Sequence, residues 1–211
     1  MPTTRAKITD GASLSPDRLD TLYALRAAHV HLKDDASPRA DRATFDATMR
    51  RSTHVCVLTS GRRDVGFVCA DLLHIQAPED AWVLHFHYAF IEPEHRGGRA
   101  YIYAFLKDLT LKLAQHPRSA LYYYGTAFKP SFVRTRTYCP HLVTPATPAR
   151  DPRARLLAHL THTHEGDRWC LERRAVWMPT IPSAGDRQWS RREDREAASI
   201  YERLNPSWRE G

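Results

Sequence analysis

The stretch from Trp82 to Gln115 limits the fold of this 211-residue chain more than any other. Trp82 to Ile91 is its most strand-like segment, an alternation of apolar, aromatic and imidazole side chains. It runs into Glu92-Pro93-Glu94-His95-Arg96-Gly97-Gly98-Arg99, then into an amphipathic helix from Ala100 to Gln115 with Ile102, Phe105, Leu106, Leu109 and Leu113 along one face. A strand that passes through a glycine-rich turn into a helix gathers unpaired amides at the helix N-terminus, where the dipole adds positive potential and glycine permits close approach. Arg96 and Arg99 add two guanidiniums, so a pyrophosphate or a phosphorylated sugar would meet both amides and charge. A tight connection without a ligand is the plain alternative. Gly97 and Gly98 form neither G-x-G-x-x-G nor a Walker-type loop, which excludes the two common nucleotide fingerprints.

The remaining pattern predicts an α/β chain. Arg5 to Thr9 reads as a short strand, and Ser15-Pro16-Asp17 opens a helix that carries Leu19, Leu22, Tyr23, Leu25 and Ala28 and ends near His31. Ser37-Pro38 begins a second helix with Phe45 and Met49, ending near Arg51. Val55 and Val57, the turn Gly61-Arg62-Arg63-Asp64 and the apolar Gly66 to Ala70 form a hairpin whose second strand continues to Ile75. Further on, a strand is expected at Ala120 to Gly125, a helix from Lys129 to Thr137, and a helix from Arg153 to Leu160. A strand then follows at Arg168 to Met178, and a helix at Arg191 to Leu204 lies in an Arg-rich tail. Pro140, Pro145, Pro148 and Pro152 mark an ordered loop or linker.

With 42% hydrophobic and 26% charged residues the chain is built to bury one core. No apolar run approaches the roughly 18 to 20 residues of a membrane helix, and the first thirty residues carry Asp10, Asp17 and Asp20 without an apolar block. A soluble, cytoplasmic protein without a membrane partner is expected. The net charge of +7 favours anionic ligands, but it rests almost wholly on arginine, a usage that a GC-rich genome also produces, so nucleic acid is a lesser reading. Cys56, Cys69, Cys139 and Cys170 show no metal or disulfide spacing. His159, His162 and His164 have no nearby cysteine and sit on a helix end and polar turn, so no metal is expected.

The order of elements and the turn after Ile91 resemble the GCN5-related N-acetyltransferase superfamily. In that family a turn of the form Q/R-x-x-G-x-G/A follows the fourth strand, and its amides bind the pyrophosphate of an acyl-CoA. His95-Arg96-Gly97-Gly98-Arg99-Ala100 matches with Gly98 and Ala100 in the small-residue positions, and has His95 where the family has Gln or Arg. The resemblance covers about Thr4 to Tyr138, beyond which the proline-rich segment replaces the short path to a final hairpin. It implies a mixed, mostly antiparallel central sheet flanked by helices over residues 1–180, with a divergent Arg-rich extension over 181–211. It also implies acetyl-CoA or another acyl-CoA as co-substrate, held by Phe90, Ile91, His95, Arg96, Gly97, Gly98, Arg99 and Ala100.

Acyl transfer to an amine needs a base for the amine, a donor to the thioester carbonyl and an acid for the leaving thiolate. Family members often place the base on or just beyond the fourth strand. Alternation puts His85 and His87 on one face with Ala89 and Ile91, and Phe86, Tyr88 and Phe90 on the other, so the ordered candidates are His87, His85 and Glu92. Histidines hydrogen-bonded for structure alone are the competing reading. The resemblance assigns the acid to a tyrosine after the fifth strand, for which Tyr138 is the best match and Ser131 the second, and Tyr122 to Tyr124 either line the cleft or pack. The expected activity is direct acyl transfer from acyl-CoA to a small-molecule or protein amine in a ternary complex. An acyl-carrier-protein donor and a non-catalytic binder of the same fold are the alternatives, and the oligomeric state is left open.

Overall fold

Ser15 and Ser37 start the two N-terminal helices in the same way. Each side-chain oxygen accepts a backbone N–H three residues on, from Arg18 and Ala40, both at 3.3 Å, and each is followed by a first-turn proline. The resulting helices are α1 (Pro16–Ala27) and α2 (Pro38–Arg51). The computed structural model describes residues 4–33, 36–76, 80–96, 100–115, 120–127, 129–139, 141–166, 169–170, 175–176, 180–182 and 191–205. It separates into two units, Met1–Val30 with Ser37–Gly125, and His31–Ala36 with Thr126–Gly211.

The first unit is built on five strands: β1 (Thr4–Thr9), β3 (His54–Ser60), β4 (Arg63–Ile75), β5 (Ala81–Ile91) and β6 (Ala120–Gly125), hydrogen-bonded in that order. β2 (Val30–Leu32) lies outside this sheet. Neighbours from β1 to β5 are antiparallel, while β6, reached through α3 (Ala100–Gln115), runs parallel to β5. The mixed, mostly antiparallel sheet flanked by helices is therefore as expected. Gly61, at φ 61°, closes the β3–β4 hairpin in a left-handed conformation that side chains resist. After β1, a tight turn at Gly11–Ser13 passes so near the end of α2 that a Cβ on Gly11 would lie 1.8 Å from the Met49 carbonyl oxygen.

Two apolar layers sandwich the sheet. Leu19, Leu22, Phe45 and Met49 of α1 and α2 cover Val55, Phe67 and Cys69, with Phe45 meeting Phe67 edge-on at 6.0 Å. Burying a side chain of this size contributes about 1.5–3 kcal/mol. On the opposite face Phe105 and Leu109 of α3 cover Cys56, Val68, Ala70 and Leu84. Two sequence expectations change here. Arg26, not Ala28, completes the buried face of α1, and Ile102 and Leu106 of α3 are exposed at 41% and 49%.

The second unit holds α4 (Lys129–Tyr138), α5 (Pro152–Glu165), β7 (Trp169–Cys170), β8 (Ala175–Val176), β9 (Thr180–Pro182) and α6 (Arg192–Leu204). α4 and α6 pack through Phe132 on Tyr201, an Nζ-to-carboxylate bond of 2.6 Å from Lys129 to Glu202, and a 2.9 Å bond from Thr137 to Asp194. β2 pairs with β9, and β7 with β8, so the strand expected over 168–178 is two short antiparallel strands. α5 runs on to Glu165, which places His159, His162 and His164 within the helix. Among the described residues no helix is long and apolar enough to cross a membrane.

Candidate active site

β5 carries an irregularity that its sequence conceals. Cys69 is opposite Tyr88 and Ala70 is opposite Phe86, so His87 is an extra residue in β5, a β-bulge. In a regular strand Leu84, Phe86, Tyr88 and Phe90 would share one face. Because of the bulge, Leu84 and Phe86 pack in the α3 layer, whereas Tyr88 and Phe90 pack against the α1–α2 layer. The alternation expected for this segment is corrected accordingly: Phe86 does not share a face with Tyr88 and Phe90, and Ile91 joins the α3 layer. The two imidazoles nevertheless stay together, with the ring centres of His85 and His87 4.2 Å apart.

A third residue completes the group. Asp71 of β4 is the register partner of His85, and its Oδ2 lies 2.7 Å from Nε2 of His87. Its other oxygen accepts the backbone N–H of Thr53 at 2.9 Å. Burial pushes the Asp71 carboxyl up, but the bonds from His87 and the Thr53 amide outweigh it and hold the group below the usual carboxylate range. On the other side of β5, His85 pairs in register with Tyr124 of β6, their rings 4.8 Å apart. Asp71, His87, His85 and Tyr124 thus form a polar row across three strands, with His85 only 5% and Tyr124 only 7% exposed. Sequence reasoning missed Asp71. Its signal was a lone carboxylate inside the apolar run Gly66 to Ile75.

At this row the sheet opens. β5 and β6 pair from Ala81 with Ala120 as far as Phe86 with Gly125, where β6 ends, and residues 87–91 continue on β4 alone. At the parting point a Cβ on Gly125 would come 3.1 Å from the Phe86 carbonyl oxygen, a distance that disfavours larger residues there. The backbone groups of 87–91 on this side meet no strand among the described residues. An extended ligand carrying amides can pair with such an edge.

The other predicted residues are placed as follows. Phe90 packs on Phe67 and lies parallel to the ring of His29, so the side chains of Phe90 and Ile91 are packing groups. Arg63 bonds Oε1 of Glu92 and reaches Glu94 at 3.9 Å. Glu92, Glu94 and His95 each offer a ligand atom within 4.8 Å of one another, but the guanidinium of Arg63 already supplies the positive charge a cation would bring. His95 is buried, with Nδ1 3.4 Å from Oγ1 of Thr4, and Nε of Arg96 donates to the Ile91 carbonyl at 2.8 Å. Ala100 is the first residue of α3, whereas Gly97, Gly98 and Arg99, the heart of the expected phosphate cradle, lie outside the described residues. Tyr138 ends α4 in the second unit, with its side chain outside the described set, and Ser131 is exposed in the first turn of the same helix. Cys56 and Cys69 are buried, and burial pushes both thiols up to about 12.

No family model and no curated relative matches the chain. Among solved structures, a probable N-acyltransferase of unknown function from Enterococcus faecalis is similar at 19% identity and a TM-score of 0.44, over 65% of this chain but only 32% of that one. The aminoglycoside N-acetyltransferase AAC(6')-Iy, in complex with a CoA-linked bisubstrate analogue, is similar at 10% identity and a TM-score of 0.43, over 66% of this chain and 88% of that chain. A ribosomal-protein-alanine N-acetyltransferase from Brucella melitensis is similar at 14% identity and a TM-score of 0.43, over 70% of this chain and 96% of that chain.

Proposed function

We propose that this chain is an acyl-CoA-dependent N-acyltransferase, a divergent relative of the GCN5-related superfamily, with His87 as its base. The observation that carries the reading is the parting of parallel β5 and β6 at Phe86 and Gly125, next to the bulged His87. An open strand edge suits the amide-bearing arm of CoA, and the turn from His95 to Ala100 follows the same strand, where the pyrophosphate would be received.

Direct attack balances without a covalent enzyme intermediate. The amine nitrogen bonds the acyl carbon, the carbon–sulfur bond breaks with its electron pair on sulfur, one amine proton passes to His87, and sulfur takes a proton from solvent. A route through a buried cysteine is disfavoured, because thiols of pKa about 12 supply almost no thiolate near neutral pH. The acceptor is a small-molecule or protein amine. The test is calorimetric titration with acetyl-CoA and longer acyl-CoAs, followed by thiol release with a panel of amines. Saturable binding with amine-dependent thiol release is expected. CoA binding without release from any pair would replace catalysis by a binding role, and no binding would remove the reading.

A further inference from the structure

The geometry points to Asp71 as the positioning residue of the base: its carboxylate holds the Nε2–H of His87, which leaves Nδ1 as the nitrogen that takes the amine's proton. The inference rests on the acyltransferase reading above, and adds to it a residue and a working atom.

A neutral imidazole carries one proton, on either nitrogen. An ionised carboxylate 2.7 Å from Nε2 can only accept, so the proton must sit between them and the lone pair must lie on Nδ1. Asp71 is ionised and fixed, because its second oxygen is tied to the Thr53 amide and its burial is more than offset by these two bonds. The side chains of His87 and Asp71 are 10% and 17% exposed, so water seldom replaces the bond between them. From β5, His85 lies against His87, from β6, Tyr124 reaches His85, and from the start of β3, Thr53 bonds Asp71 through its amide and His54 through its hydroxyl. The amine nitrogen's lone pair forms the bond to the acyl carbon, and as its N–H bond breaks the electron pair stays on nitrogen and the proton passes to Nδ1. The imidazolium so formed is stabilised by a carboxylate that stays charged throughout. The bulge is what allows this, since it adds one residue to β5 and turns His87 back toward a residue in register with His85.

The full chain is tested with Asp71→Asn, Asp71→Glu and His87→Gln. Nitrogen NMR of the histidine rings, which needs no substrate, should find neutral wild-type His87 protonated at Nε2. Asp71→Asn should weaken that preference and lower kcat by about 10²-fold, with the KM for acyl-CoA unchanged. Asp71→Glu, which keeps the carboxylate, should restore kcat in large part. A wild-type Nδ1–H tautomer would overturn the inference even if the Asn variant did not fold. Full turnover in Asp71→Asn alongside an inactive His87→Gln would overturn it while leaving the base in place. If wild type releases thiol with no donor and no amine, the acyltransferase reading fails, and a proton at Nε2 in wild type that persists in Asp71→Asn then overturns the pairing as well.

Discussion

Two buried polar clusters of the first unit are built in opposite ways. Between α1 and α2, Nη1 and Nη2 of Arg26 bond the two oxygens of Asp41, each at 2.7 Å, and the Tyr23 hydroxyl donates to Oδ2 at 2.9 Å. The guanidinium also lies within 6.0 Å of the ring centres of Tyr23, Phe45 and Tyr88. Here the carboxylate is fully occupied by groups that never change protonation near neutral pH, as an arginine cannot lose its proton and burial and Asp41 push the Tyr23 phenol up. On the sheet, by contrast, Asp71 is occupied by an amide and an imidazole, and the imidazole keeps one nitrogen for another partner. A cluster whose carboxylate is saturated by fixed donors holds two helices; a cluster with one remaining valence can move a proton.

The largest effect should come from breaking the saturated cluster. Asp41→Ala leaves the Arg26 charge buried and unpaired, a change that costs about 3–5 kcal/mol of stability. Equilibrium unfolding should show this loss, with kcat of the folded fraction unchanged. Wild-type stability in this variant would mean that the ion pair is not the clamp. His87→Gln should do the reverse, lowering kcat by about 10²-fold or more with acyl-CoA affinity kept and a smaller loss of stability than Asp41→Ala. If both variants lose stability and activity together, the contrast between the clusters fails.

Asp71 sharpens the comparison through pH. Its carboxyl is held below its ordinary value in the folded chain, so its contribution to stability is present above the unfolded value, roughly pH 4, and is lost as pH falls through the folded value. Wild type should therefore exceed Asp71→Asn by about 1–3 kcal/mol near neutral pH, and the two should converge below roughly pH 4. A gap that persists undiminished in stronger acid would mean that ionisation of Asp71 is not what stabilises the pair.

Much of this frame was legible in the chain because the signals are local. The Ser-Pro caps, the hairpin at Gly61, the strand after Trp82 and the helix from Ala100 each depend on neighbouring residues, and all appear where the pattern puts them. The site was legible only in part. His85 and His87 could be picked out as imidazoles in a strand, but the bulge between them is a property of register with Cys69 and Ala70, which nothing in an evenly alternating segment marks. Asp71 was visible as an odd carboxylate, yet its partner lies 16 residues away and is met only once β4 and β5 are paired. Arg26 failed for a similar reason. A charge on an apolar helix face is misplaced until Asp41 arrives from the next helix.

The smallest effect should come from Glu92, the third candidate base. Its carboxylate is engaged by Arg63, whose side chain is 60% exposed, and its backbone N–H is bonded to the Val65 carbonyl at 2.9 Å whatever side chain it bears. An exposed ion pair of this kind contributes at most about 1 kcal/mol, and the Arg63 guanidinium occupies an oxygen that a base would need. Glu92→Gln keeps the shape and the backbone bond while removing the charge. It should change stability by less than about 1 kcal/mol and leave kcat where it is in wild type. A tenfold fall in kcat with His87→Gln still active would move the base from the bulge to the end of β5, and the open valence on the sheet would then be a structural feature like the clamp between the helices.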